Sequence, residues 1–233
     1  MASQYLVGVS VPRSGHHFLA RLLQAACGER LRYCDFYETP GCCRQVPCTR
    51  AATPLHLQKN HDLQLRLPTD LPGVRYIVQV RDPVAAALSD RELFAARHGE
   101  ALAADRPALL LWLATQALWL EDFWAKWVDP APAAAVLLTY ESLTADPAAA
   151  LRALLAALDV ASTRAACEAA VAAVAPRGGF HGEIAYRRRR LTESRFFDGE
   201  LFSLYETLLF GRLPLAARRP PPPAPPSPPL PPA

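Results

Sequence analysis

No apolar run in the sequence approaches the roughly 20 residues that a membrane-spanning helix needs. Neither charge dominates: 25 Lys and Arg stand against 22 Asp and Glu, a formal net charge of +3, too small to mark a nucleic-acid-binding chain. The first residues lack the basic and apolar regions of a signal peptide, so the expected compartment is the cytoplasm. The nucleotide-triphosphate signature G-x-x-x-x-G-K-[ST] is also missing; Gly8 and Gly15 are too far apart for it and no lysine follows Gly15. Six cysteines are present, but none forms the C-x-x-C pairs usual for zinc. Four of them cluster as Cys34, Cys42, Cys43 and Cys48, while Cys27 and Cys167 stand apart. For the cluster the expected order is reduced thiols, then a local disulfide, then zinc last.

Proline is plentiful, and its placement divides the chain. Pro220–Ala233 is almost pure proline, and its prolines provide neither backbone donors nor a core. Residues 218–233 therefore read as a disordered tail and residues 1–217 as one domain. The tail carries R-x-x-P-x-x-P from Arg219, a pattern that an SH3-like groove would accept. A solvated low-complexity end is the plainer reading.

Within the body, "YLVGVSV" (Tyr5–Val11), "VRYIVQV" (Val74–Val80) and "AVLLTY" (Ala135–Tyr140) read as buried strands. Between them lie helical patterns from about His16, from Pro83, and over Ala108–Val128, which holds all four tryptophans on what reads as a core stripe. Further helices are expected at Pro147–Leu158, Thr163–Val174 and Gly199–Phe210, with residues 28–60 irregular except for a short apolar piece at Leu55–Leu57. This alternation predicts a single-domain three-layer α/β fold, a parallel sheet flanked by helices. Ligands bind such sheets at the carboxyl ends of the strands. That places the turns at residues 12–17, 58–61, 81–83 and 139–141 on one rim.

The rim has the chemistry of an anion site. In "VSVPRSGHHFLARLL" a strand, a glycine turn and a helix start follow one another, and unpaired N–H groups with the helix dipole favour a phosphate there. Arg13 adds a fixed charge and Gly15 permits close approach. Arg81 leaves the second strand with Ser89 two helical turns on, a pair suited to another phosphate. Lys59 and His61 end the "LQKNHD" segment, and a histidine on a ligand rim is a candidate base.

These residues resemble the sulfotransferases that use 3′-phosphoadenosine-5′-phosphosulfate (PAPS). "PRSGHHF", Pro12–Phe18, is similar to the family's P-[KR]-S-G-T-T-[WF] loop, with two histidines where the family has threonines. Arg81-Asp82-Pro83 with Ser89 resembles its R-[ND]-P-x-x-x-x-x-S motif, and Lys59-Asn60-His61 its K-T-H element. "YESLTADP" resembles the segment after its late strand, and "RGGFHGE" from Arg177 its C-terminal loop. The resemblance implies in-line sulfuryl transfer without a metal to a hydroxyl or amine of a small-molecule or carbohydrate acceptor. His61 would be the base, and Lys59 and Arg13 would offset developing charge. It implies donor contacts from Arg13, Ser14, Gly15, His16, His17, Phe18 (adenine stacking), Arg81, Ser89, Tyr140 (adenine), Arg177 and Gly179. Three glycines and five arginines within residues 176–190 further read as a lid that closes on a polyanionic donor. The rival readings are a P-loop nucleotide kinase and a non-catalytic nucleotide-binding or scaffold protein.

Overall fold

The computed structural model describes residues 4–37, 40, 42–49, 54–100, 105–174, 191–194 and 196–210. Arg177, Gly179, the expected lid and the proline tail lie outside the described residues. Among the described residues, five strands form one parallel sheet in the order β2-β3-β1-β4-β5. They are β1 (Gln4–Ser10), β2 (Leu31–Asp35), β3 (Leu55–Asn60), β4 (Val74–Val80) and β5 (Ala135–Thr139). The helices are α1 (His16–Cys27), α2 (Pro83–His98), α3 (Arg106–Trp127), α4 (Tyr140–Ala145), α5 (Pro147–Ala157), α6 (Arg164–Ala173) and α7 (Gly199–Phe210). The predicted three-layer α/β architecture is the one observed. One strand was not foreseen: β2 lies in the segment read as irregular, because its burial pattern is broken by the exposed Arg32 and the half-buried Tyr33.

The helix starts follow from local chemistry. Asp82, Asp105 and Asp146 each accept a hydrogen bond from a backbone N–H three residues on, and each helix carries proline in its first turn. Aspartate at the cap meets orphan N–H groups, and proline has no N–H to leave unpaired. Apolar side chains then sort the helices onto two faces. Leu6, Leu57, Ile77 and Leu138 meet Leu19, Leu22 and Leu23 of α1, together with Leu151 and Leu154 of α5 and Cys167 of α6. Val7, Val9, Tyr76 and Val78 meet Val84 of α2, Leu113, Phe123 and Trp127 of α3, and Phe202 and Tyr205 of α7.

The tryptophan stripe is core at its C-terminal end, where Trp127 is fully buried. Its indole Nε1 donates to Asp62 Oδ2 at 2.9 Å, and Lys126 Nζ donates to the same oxygen at 2.6 Å. Leu67 N donates to the other carboxylate oxygen at 2.8 Å. Asp62 thus ties α3 to the end of β3, next to His61. Replacing Asp62 with alanine leaves buried donors without acceptors, and should cost about 3–5 kcal/mol of unfolding free energy. Urea denaturation would measure it; a loss below about 1 kcal/mol would place this ion pair among inconsequential surface pairs.

Candidate active site

The carboxyl ends of β1, β3 and β4 lie side by side, and the turn after each contributes to one rim. After β1, Arg13 adopts φ 67° and Gly15 φ 86°, the left-handed region that a tight phosphate-type loop requires. A Cβ on Gly15 would lie 2.7 Å from Tyr140 Cδ2, so glycine is needed for space as well as for its φ. No side chain caps α1, which leaves its N-terminus to be served by a ligand or water.

Ser14 shapes this loop from within. It is buried, and its hydroxyl lies 2.6 Å from the Val11 carbonyl and 3.2 Å from that of Gln79, with the Gln79 amide donating back to Ser14 O at 3.3 Å. Its side chain therefore braces the loop rather than facing a donor.

His16 also turns inward. Its ring is buried with neither nitrogen hydrogen-bonded among the described residues, and a Cβ on Gly8 would come within 2.4 Å of its Cε1. Burial foremost, then the neighbouring His61, Lys59 and His17, holds it well below the usual histidine range, so it is neutral. Its imidazole cannot take the place of a threonine hydroxyl on a phosphate. Only its backbone stays at the helix mouth. Phe18 is likewise packed within the α1-side core, at 4% exposure, and presents little surface to an adenine.

Arg13, Arg81, Ser89 and Tyr140 do come together. Arg13 Nε donates to Ser89 Oγ at 3.1 Å, and Arg81 Nη1 donates to the Arg13 carbonyl at 3.0 Å. The Arg81 guanidinium lies over the Tyr140 ring, 4.2 Å from its centroid. Its Nε is buried without an acceptor among the described residues. Burial lowers the Arg13 pKa, Asp90 opposes the shift and the like charge of Arg81 adds to it. Two neighbouring guanidiniums with an unmet donor form a site that gains from an anion.

The third turn holds the candidate base. His61 Nδ1 is 2.8 Å from the Ser10 carbonyl and 3.0 Å from its hydroxyl. A carbonyl can only accept, so Nδ1 carries the proton and Nε2 is the basic nitrogen of the neutral ring. Burial is the main reason its pKa falls to about 4; the Ser10 carbonyl opposes the shift and Lys59 adds to it. Tyr37 stacks on the ring at 5.6 Å between centroids, and its hydroxyl accepts from His61 N at 3.1 Å.

Lys59 is buried in an ion pair with Asp35, Nζ to Oδ2 3.0 Å, and lies 3.2 Å from His17 Nε2. Burial would raise the Asp35 carboxyl, but Lys59 and the Tyr37 N–H outweigh it and lower its pKa. Asp35 and Tyr37 are the rim residues that sequence reasoning passed over. The signal was faint: both lie in or beside the strand that the periodicity did not reveal.

A parallel α/β sheet flanked by helices, with a left-handed loop at a helix mouth and two neighbouring guanidiniums on its rim, has the make-up of an anion-binding fold. The family model described as "Sulfotransferase family" matches residues 20–164, more than half of the chain, and the chain belongs to that family. The matched stretch holds Lys59, His61, Arg81, Ser89 and Tyr140 and starts just after the Pro12–Phe18 loop. Among solved structures, mouse sulfotransferase SULT7A1 complexed with PAP is similar at 15% identity, with 92% of this chain and 87% of that one covered and a TM-score of 0.63. A retinol dehydratase in complex with androsterone and inactive cofactor PAP is similar at 13% identity, covering 95% and 84%, with a TM-score of 0.66. The likeness in each case is one of fold. No curated protein matches the sequence significantly.

Proposed function

We propose that this protein transfers a sulfuryl group from PAPS to a hydroxyl or amine of a small-molecule or carbohydrate acceptor. The observation that carries the reading is the convergence of Arg13, Arg81 and Ser89 beside a glycine-hinged helix mouth, next to a histidine whose free nitrogen is basic. Family membership and two neighbours crystallised with PAP support the donor.

In this reading Arg81, Ser89 and Arg13 hold the 3′-phosphate. The resemblance implies a place for Arg13 at the sulfuryl group, and its bond to Ser89 supports a role beside the 3′-phosphate as well. The Gly15 turn and the N-terminus of α1 take the 5′-phosphosulfate. Tyr140, fixed against Arg81, borders the adenine side. Asp35 and His17 engage two of the three donors of the Lys59 ammonium, and the third serves an oxygen of the transferring group. His61 Nε2 accepts the acceptor's proton as its oxygen or nitrogen bonds to sulfur, while the bond from sulfur to the bridging oxygen breaks and the bisphosphate leaves.

Calorimetry tests the donor directly. The protein should bind 3′,5′-bisphosphorylated adenosine far more tightly than AMP or ATP; equal affinity for AMP and the bisphosphate would sink the reading, and a preference for Mg-ATP would favour a kinase. The base makes a second prediction. Activity needs neutral His61, so kcat/KM should hold as pH falls below 6 and drop through a limb near pH 4. An acid limb near 6.5, the unperturbed histidine value, would show that another group is the base.

A further inference from the structure

The cysteine cluster lies away from the α1 face that carries Lys59 and has no part in the chemistry above. Cys34 stands on β2 opposite Gln58, and His56 stands on β3 opposite Tyr5. The hydroxyl of Tyr5 donates to the Gln58 side chain and accepts from Cys48 N at 2.7 Å, so the loop after β2 is brought down onto this patch. The Gln58 amide also donates to the Gln45 carbonyl of that loop at 2.9 Å. Ligand atoms of Cys34, Cys48 and His56, all buried, lie within 4.8 Å of one another. Cys42 Sγ is 3.5 Å from Cys34 Sγ, and Cys43 Sγ is 3.5 Å from Cys48 Sγ. Two thiolates about 2.3 Å from one tetrahedral zinc stand roughly 3.8 Å apart, close to these spacings. All six cysteines are unbridged.

An independent observation singles out His56. Only 1% of it is exposed, and neither ring nitrogen has a hydrogen-bond partner among the described residues. The ring is held in place by stacking on Tyr5 at 4.9 Å between centroids. A buried imidazole without a partner forfeits the hydrogen bonds it had in water, and a metal bond would replace them.

We propose that Cys34, Cys48 and His56, with Cys43 or Cys42 as fourth ligand, form a closed structural zinc site. Soft sulfur ligands with one imidazole suit zinc, and four protein ligands leave no position for catalysis. The site ties Cys42, Cys43 and Cys48 to the sheet next to Tyr37, which stacks on His61. Sequence spacing ranked zinc last because it considers neighbours along the chain, whereas the fold joins a strand, a loop and the next strand. The proposal rests on this geometry alone and stands apart from the sulfuryl-transfer reading.

The test is metal analysis of the full-length protein, purified with a thiol reductant, incubated with zinc sulfate and desalted. About one zinc per chain is expected, and cobalt in its place should show thiolate charge-transfer and tetrahedral d–d bands. The wild-type cobalt spectrum needs no variant and reads the ligand type directly. His56→Ala and Cys48→Ser should abolish tight uptake. Cys27→Ser and Cys167→Ser, in the α1-side core, should retain it. A folded, fully reduced protein that takes up neither metal would overturn the proposal. So would a metal-free protein lighter by two hydrogens per bridge, with disulfides at Cys34–Cys42 and Cys43–Cys48.

Discussion

Alanine at position 61 should lower turnover by roughly 100-fold or more, the usual worth of a positioned general base, while the affinity for bisphosphorylated adenosine stays nearly intact. The separation follows from geometry. His61 is held by Ser10 and Tyr37, whereas Arg13 bonds Ser89 and Arg81 bonds the Arg13 carbonyl. Its removal therefore takes away a proton acceptor and leaves the anion site standing. Asn60, through Tyr37 and Asp62, keeps the backbone of the turn in place whatever side chain follows. Steady-state kinetics with calorimetry would separate the two effects. If turnover survives at near wild-type level, the base is elsewhere, and His17 becomes the candidate, because His16 is sealed against Gly8.

Arg81→Ala should produce the second large effect, in binding. A charge-assisted contact to a buried phosphate is worth about 1.5–3 kcal/mol, so affinity for the bisphosphate should fall by tens-fold or more. AMP, which lacks the 3′-phosphate, should be affected much less, so the preference between the two ligands collapses. Lysine should not restore it. Arg81 bonds the Arg13 carbonyl with one guanidinium nitrogen, lies over the Tyr140 ring and keeps its Nε for a further acceptor. An ammonium cannot do all three. Equal losses for AMP and the bisphosphate would show that Arg81 acts on the loop and not on the 3′-phosphate.

The sheet was legible because β1 and β4 are rich in Val, Ile, Leu and Tyr and are buried on both faces, as central parallel strands are. The helix starts at Asp82 and Asp146 were legible because cap and proline stand together in the sequence. The rim turns followed, since strand ends in a parallel sheet share one side. What escaped was set by distant contacts. Nothing in "HH" says that His16 would fill the space left by Gly8, eight positions earlier, while His17 stays near Lys59. Arg13 and Ser89 are 76 residues apart and were assigned to different phosphates, yet the fold hydrogen-bonds them. Asp35 was invisible because the edge strand that carries it has too weak a pattern, although it neutralises the rim lysine. A motif names the residues of a site; packing decides which side chains face the ligand.

Sulfuryl transfer from PAPS is tested by following the sulfur. Purified protein is incubated with sulfur-labelled PAPS and a mixed metabolite extract, and labelled products are separated and identified. The expected result is protein-dependent label on a hydroxyl or amine compound, with bisphosphorylated adenosine released in equal amount, and loss of that label with His61→Ala. Label that remains on the donor with every acceptor class tested, in a protein that binds the bisphosphate tightly, would contradict it and leave a nucleotide-binding protein without transfer chemistry.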